Sequence, residues 1–407
     1  MKKTLILALT STLLVACDDD NDFVNINISE DSYAVQMVAA DYGSSQVAVG
    51  NVIGDRTAIQ GLMAKDKSDY TIDTYKNNLH HIGKFSIDTI DTYTADSSVN
   101  SSPVKNFPND DESGSANTYR LVQTSVDTAF LIRNGYSSVL IGNPSATSTT
   151  EFKKGTIDLS AYNVEGTLSP NMSDAVVVGD NLFVLMQRLD SSWNPQQAYI
   201  AVIDVSDPTN PIEIDTDPQT DGLKGVALNA ANPSALVEHN GAVYASGRGD
   251  FSADSGGLDK IDATTFTVTS VIDGEDYSEF NDTVTDVEKP IYYHITDVTV
   301  ISDQLGYASL NIEQAYTTLK TQLVSFNPST GAKIETVSIS GYEDKEIKDI
   351  TTGPNGKLWI GISNADNPGI LVLDTDTNTI NGDFISLQMP PIRIEFLDID
   401  ELEIAQE

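Results

Sequence analysis

The chain has 407 residues, with 60 acidic side chains against 23 basic ones and a formal net charge of −37. A nucleic-acid binder needs a basic face to displace counterions from phosphates, and adhesion to an anionic bilayer needs a basic patch; no basic run is present, which argues against both. A single cysteine, Cys17, cannot close an internal disulfide, and it leaves thiolate metal clusters and paired-cysteine haem attachment without ligands.

In chain order, Lys2 and Lys3 form a positive start, and Leu5 to Leu14 an apolar stretch too short to span a bilayer as a mature helix. Leu14-Val15-Ala16-Cys17 resembles the lipobox of bacterial lipoproteins. That resemblance implies removal of residues 1–16 and acylation of Cys17, a multi-chain anchor of the stable kind. Residues 17–32 then read as an acidic tether, opened by Asp18-Asp19-Asp20-Asn21-Asp22. An Asp after the lipidated Cys resembles the inner-membrane retention signal of enteric bacteria, and the acidic run resembles the surface-export signal of Bacteroidetes lipoproteins. The expected address is the bacterial cell envelope, lipid-anchored, with outer-membrane and inner-membrane readings both open.

Residues 33–407 show no convincing amphipathic helix. Short alternating apolar runs are separated by Gly, Asn, Asp and Pro, the pattern of strands and turns. One landmark recurs, an apolar run ending in Asp or Asn: Val52-Ile53-Gly54-Asp55, Ser86-Ile87-Asp88, Thr156-Ile157-Asp158, Val202-Ile203-Asp204, Lys260-Ile261-Asp262, Ser325-Phe326-Asn327 and Val372-Leu373-Asp374. The steps between them average about 53 residues, slightly above the ~40–50 of a four-stranded propeller blade. Whole units are legible. One runs Asp174–Val178, Leu182–Gln187, Tyr199–Val205 and Ile212–Ile214, and others run from Ala235 and from Ile347. Asn-Gly and Asp-Asn pairs sit where tight hairpins need positive φ. The expected fold is therefore all-β, a single β-propeller of seven four-stranded blades, with eight blades as the alternative. The run Ile392–Phe396 is expected to close the ring against the first blade.

The phrases Ala201–Pro211 and Gly369–Asn378 resemble blades of the YVTN and LVIVD propeller repeats, which speak for fold and are nearly silent on function. More loosely, lipobox, acidic tether and propeller together are similar to the surface propeller lipoproteins of Bacteroidetes that bind iron–siderophore complexes; no residue motif transfers from them.

Three of the arginines fall at the end of a unit's second strand: Arg133, Arg188 and Arg248, with Lys84 at the corresponding place one unit earlier. In propellers the loops after second strands open on the same face as those entering the innermost strands. The latter supply Tyr70, Tyr119, Arg120, Tyr292, Tyr293, His294 and Lys348, and Trp193 follows Arg188. Guanidinium forks suit carboxylate, catecholate or phosphate oxygens, and aromatic rings add stacking faces. The expected ligand-binding set is Lys84, Arg120, Arg133, Arg188, Trp193, Arg248, Tyr293 and His294, for a small anionic or aromatic ligand such as a metal chelate. The competing reading pairs each arginine with one of the many acids to tie blades together.

Catalytic patterns are sparse. There is no Gly-x-Ser-x-Gly elbow and no phosphate-cradling Gly-rich loop. His80 and His81 are adjacent on a strand, so their rings point to opposite faces and cannot share an ion; His239 falls in a tight turn. No cofactor is required by the sequence. Ca²⁺ is the one metal its acid-rich loops could hold, at Asp273-Gly274-Glu275-Asp276 or Asp374-Thr375-Asp376-Thr377-Asn378. The reading leans away from an enzyme, towards a tethered binder whose partner is a small ligand or an outer-membrane transporter. The alternatives are a protein-interaction scaffold of the envelope, or a lactonase-like or quinoprotein-like propeller enzyme.

Overall fold

The computed structural model describes residues 31–94, 102–110, 114–250, 253, 255–274, 291–314, 317–339, 341–342 and 345–397. The leader, Cys17 and nearly all of the expected tether lie outside them, as do Glu275 and Asp276.

Seven antiparallel sheets form a closed ring. Blade two is Tyr70–Tyr75, Asn78–Gly83, Thr89–Thr94 and Lys105–Pro108, from the channel outward; blade three is Thr118–Ser125, Thr128–Arg133, Ser138–Gly142 and Lys153–Asp158. Blade four begins with Met172–Val178, Asn181–Met186 and Tyr199–Asp204, and its edge is shared by Ile212–Glu213 and Val226–Ala227. Blades five, six and seven start at Pro233, Tyr292 and Ile347. Blade one joins the two ends of the chain: Pro391–Leu397 is its inner strand and pairs with Ser32–Val38, Tyr33 opposite Phe396 and Val35 opposite Ile394. This is the expected closure, and the first strand begins at Ser32, one residue inside the expected tether.

A sheet buried on both faces reads as a continuous apolar run, and the second strands, such as Phe130–Ile132 and Phe183–Met186, are buried at every residue. Each blade packs on the next through its own hydrophobic cluster. Phe130, Met172 and Val184 fill the joint of blades three and four, and Trp359, Tyr33, Ile370 and Ile394 fill the closing joint of seven and one. Arg56 latches that joint from the rim, donating to the carbonyls of Val52 and Asn381 and lying over the Trp359 ring at 5.7 Å.

A second device ties the inner strands. Asp73, Asp174, Asp297 and Asp349 each accept the backbone N–H of the next blade's inner strand, from Leu121, Leu236, Ile350 and Ile394 at 2.5–3.0 Å. In four of the seven blades one carboxylate thus supplies a hydrogen bond that neighbouring blades cannot exchange as a sheet.

Two of the seven landmarks lie elsewhere than the turn after a third strand. Ser86-Ile87-Asp88 is in the loop between the second and third strands of blade two, where Asp88 accepts from the Asn117 N–H and the Ser115 hydroxyl. Thr156-Ile157-Asp158 ends the outermost strand of blade three, where Asp158 accepts the Ser160 N–H. Both aspartates do local turn work of the kind any strand end can require.

Candidate functional site

The loops after second strands and those entering inner strands do open on one face, and Arg188 and Arg248 share it. A repeated backbone arrangement shapes this face in blades three, four and five. Asn117, Asn171 and Asn232, each directly before the first residue of an inner strand, adopt left-handed φ of 47°, 56° and 49°. Asn tolerates that region because its short side chain can bond locally. Their carbonyls accept the N–H groups of Asn134, Gln187 and Arg248, just after the second strands. The Asn232 side-chain amide donates to the Gly249 carbonyl, and the Asn171 side-chain Oδ1 accepts from the Leu189 N–H.

From this floor rises a tight hairpin, Leu189 bridged to Pro195, with Trp193 at its tip. Asp190 organises it. Its carboxylate accepts the N–H groups of Asn194 and Ser192 at 2.9 and 2.8 Å, its own N–H donates to the Asn194 carbonyl, and its carbonyl accepts the Trp193 N–H. The bonds from Asn194 and Ser192 hold the Asp190 carboxyl below its usual range. Trp193 takes φ +66° and its side chain is 72% exposed. Positive φ is costly for a bulky residue, so the tip is held by the loop and not by its own preference.

Two cavities meet at this hairpin, of about 450 and 490 Å³, and both are bordered by Leu189 and Trp193. The first extends over blades three and four, past Asn134, Asn171 and the exposed side chains of Phe85 and Leu168. The second reaches the channel mouth, past Gln187, Asn232, Ser234, Arg248 and Lys348. Together they form one groove across the face.

Of the eight expected ligand residues, Trp193 and Arg248 border the groove. Arg248 grips Glu313 with both carboxylate oxygens, at 2.8 and 2.7 Å. Burial raises the Glu313 carboxyl, but these bonds and the arginine charge outweigh it and the group sits below its usual range. His294 is fully buried, its Nδ1 2.6 Å from the Arg248 carbonyl, so it sets the backbone from which Arg248 springs. Tyr293 packs into the joint of blades five and six.

Arg188 braces the Trp193 hairpin. Its guanidinium donates to the carbonyls of Tyr162 and Gln197 at 2.8 and 2.7 Å and lies over the Tyr199 ring at 5.1 Å. Arg133 is 0% exposed; it bonds the carbonyls of Ser138 and Asn109 and faces the Tyr136 ring. Lys84 lies over the Tyr119 ring, and burial pushes its ammonium below the ordinary range against the opposing pull of Asp69.

Arg120 points into the central channel. It meets Asp73 at 2.7 Å and Asp174 and Glu395 at 3.0 Å, so one guanidinium ties four blades; Arg393 adds bonds to Asp73 and Glu395. Asp73, Asp174 and Glu395 share these two cations, and Asp297 and Asp349 stand on inner strands of the same ring. Burial raises all five, and with Asp73 beside it Glu395 reaches about 8 despite Arg120. Burial takes Asp297 to about 7, against the lowering effect of two backbone N–H bonds.

The histidine pair is split as expected: His80 bonds Thr92 and Gln123, while His81 stacks on Tyr70 at 4.5 Å. Among the described residues no three His, Cys, Asp or Glu side chains converge as a metal cage. Asp374, in one of the Ca²⁺ candidates, is paired with Lys357 and caps its own turn.

Sequence reasoning found the face but missed its amide floor. The signal was present in Ser115-Ala116-Asn117, Ser169-Pro170-Asn171 and Ala231-Asn232-Pro233, an Asn placed just before three successive inner strands.

No protein-family model matches the chain, and no curated protein matches it in sequence. Solved structures do match. A protein from Lactobacillus plantarum aligns over 90% of this chain and 99% of its own at 14% identity, with a TM-score of 0.59. Apo AztD from Citrobacter koseri aligns over 90% and 98% at 12% identity and a TM-score of 0.45. A streptogramin B lyase aligns over 83% and 93% at 10% identity and a TM-score of 0.45. At such identities the likeness is one of fold, and the chain is a seven-bladed β-propeller of four-stranded blades.

Proposed function

We propose that this protein is an envelope-tethered, non-enzymatic β-propeller that captures a small ligand in the groove around Trp193. The observation that carries the reading is the Trp193 hairpin. A large ring is held in the open, at a left-handed φ, by a carboxylate cage and an arginine brace, at the meeting point of two cavities. Burying that ring gives no stability to the fold, whereas covering it with a flat ligand removes a large apolar area from water.

The aromatic part of the expected ligand suits the groove better than the anionic part, because Arg120, Arg133 and Arg248 are committed to protein oxygens. A binder fits better than a catalyst, since none of the four histidines borders the groove. A second reading, contact with an envelope protein, is favoured by Phe85 and Leu168, which are 55% and 88% exposed beside Trp193.

The two tryptophans make the test direct. Trp359 is 0% exposed, so a change in emission on adding a small ligand to the full chain reports on Trp193. Screening metal chelates, carboxylates, aromatic acids and sugars should find a class that moves the emission. A full screen without response, together with cross-linking of Leu168 to a membrane neighbour, would replace capture by scaffolding.

A further inference from the structure

We infer that the ligand class of this groove is an uncharged saccharide chain, one sugar ring lying on the Trp193 indole and its neighbours extending into the two cavities. The inference deepens the capture reading and rests on it.

Three observations separate a saccharide from other flat ligands. The first is extent: two cavities of about 450 and 490 Å³ share Trp193 and Leu189 in their linings and otherwise have different walls, which suits a chain of rings better than a single ring. The second is the polar lining, which is made of amides and hydroxyls. Among the described residues the Gln187 side chain donates to Asn232, but its carbonyl oxygen accepts nothing. Asn134 donates to the Met172 carbonyl and its side-chain oxygen accepts nothing; Asn171 accepts from Leu189 and its NH₂ donates to nothing. These are spare acceptors and a spare donor spread along the groove. Sugar hydroxyls both donate and accept, so they can answer each of them, and the C–H face of a pyranose offers the apolar surface that an indole covers.

The third observation is charge. Arg248 is paired with Glu313, Lys348 with Glu346 at 2.5 Å, and Asp190 is satisfied by its own loop. A protein of net charge −37 repels anions at long range. The groove therefore carries little that would draw a carboxylate or phosphate.

The test is calorimetric titration of the full chain with cellohexaose, xylohexaose, maltohexaose, laminarihexaose, mannohexaose and chitohexaose. Galacturonate oligomers and 2,3-dihydroxybenzoate serve as anionic and aromatic comparators. The expected result is that a neutral hexaose binds and changes the Trp193 emission. Its affinity should stay constant between about 50 and 500 mM NaCl, since no charge is recognised. Trp193→Ala should weaken it by more than about tenfold, and Gln187→Ala by a few-fold, with melting temperatures unchanged. Binding of dihydroxybenzoate but of no neutral hexaose, lost in Trp193→Ala, overturns the saccharide and leaves capture standing. Silence from every probe overturns both.

Discussion

The channel carboxylates make stability depend on pH in a way that one substitution isolates. Asp297 accepts the N–H groups of Ile350 and Val298, and burial raises its carboxyl from 3.8 to about 7, with Asp174 adding to the rise. A carboxyl raised in the folded state holds its proton where the unfolded chain has released it. Its contribution is therefore complete below about pH 4, shrinks as pH rises towards about 7, and stays at its lower value above that. A rise from 3.8 to about 7 corresponds to about 4 kcal/mol for a fully desolvated group. Asp297 is only half-buried by surface area, so solvent screening reduces this to about 1–2 kcal/mol. Glu395 and Asp174, raised to about 8 and about 6, tilt the profile the same way. Asp297→Asn removes the titration and keeps one acceptor. It should cost about 1 kcal/mol more at pH 5, where the folded wild type holds a proton that the unfolded chain has released, than at pH 8.5, where that advantage is gone. Urea unfolding at the two pH values, followed by emission of the buried Trp359, measures this. A variant whose stability changes with pH in parallel with the wild type would show that Asp297 does not titrate abnormally.

Other consequences concern the clamp, the closure and the anchor. Arg120→Met leaves the buried Asp174 without a cation and Asp73 and Glu395 with Arg393 alone; it should destabilise the ring by about 3–5 kcal/mol at pH 8, and by less at pH 5, where Glu395 and Asp174 are protonated, and urea midpoints at both pH values check it. Ile394→Ala empties part of the closing joint and should cost about 2–4 kcal/mol, while a chain ended before Pro391 should lose its cooperative thermal transition. Cys17→Ser should move the protein from the membrane to the soluble fraction on cell fractionation, and unchanged partitioning would contradict lipid anchoring at that residue.

The fold was legible because propeller strands carry their own signals. Second strands such as Phe183–Met186 are apolar throughout, and their hairpins are closed by residues such as Asn240-Gly241. The ring closure could be read from Ile392–Phe396, an alternating apolar run of strand character outside the seven repeated units, and it pairs with Ser32–Val38. What failed was phase: Ile87-Asp88 and Ile157-Asp158 mimic the end of a third strand, because an Asp that caps a loop looks the same in sequence wherever the loop lies.

For the site, the position of Arg188 and Arg248 on one face followed from their place after second strands. Their partners did not. That Arg188 is used by the carbonyls of Tyr162 and Gln197, or Arg248 by Glu313, depends on which blades meet, and a guanidinium in a list of residues does not announce which oxygen it has found. The inner-strand aspartates were passed over for the same reason. Asp73, Asp174, Asp297 and Asp349 stand among 60 acids, and only the closed ring reveals that each clasps the next blade.

The central claim is that the face carrying Trp193 captures a small ligand, and ligand-dependent thermal stabilisation of the wild type beside Trp193→Ala tests it most directly. With the ligand at about 100 times its dissociation constant, the wild type should gain about 2.7 kcal/mol. Trp193→Ala should melt with the unliganded wild type, because an exposed tip adds nothing to the core, and should gain nothing from the ligand. A variant stabilised as strongly as the wild type would place the binding site elsewhere and contradict the account.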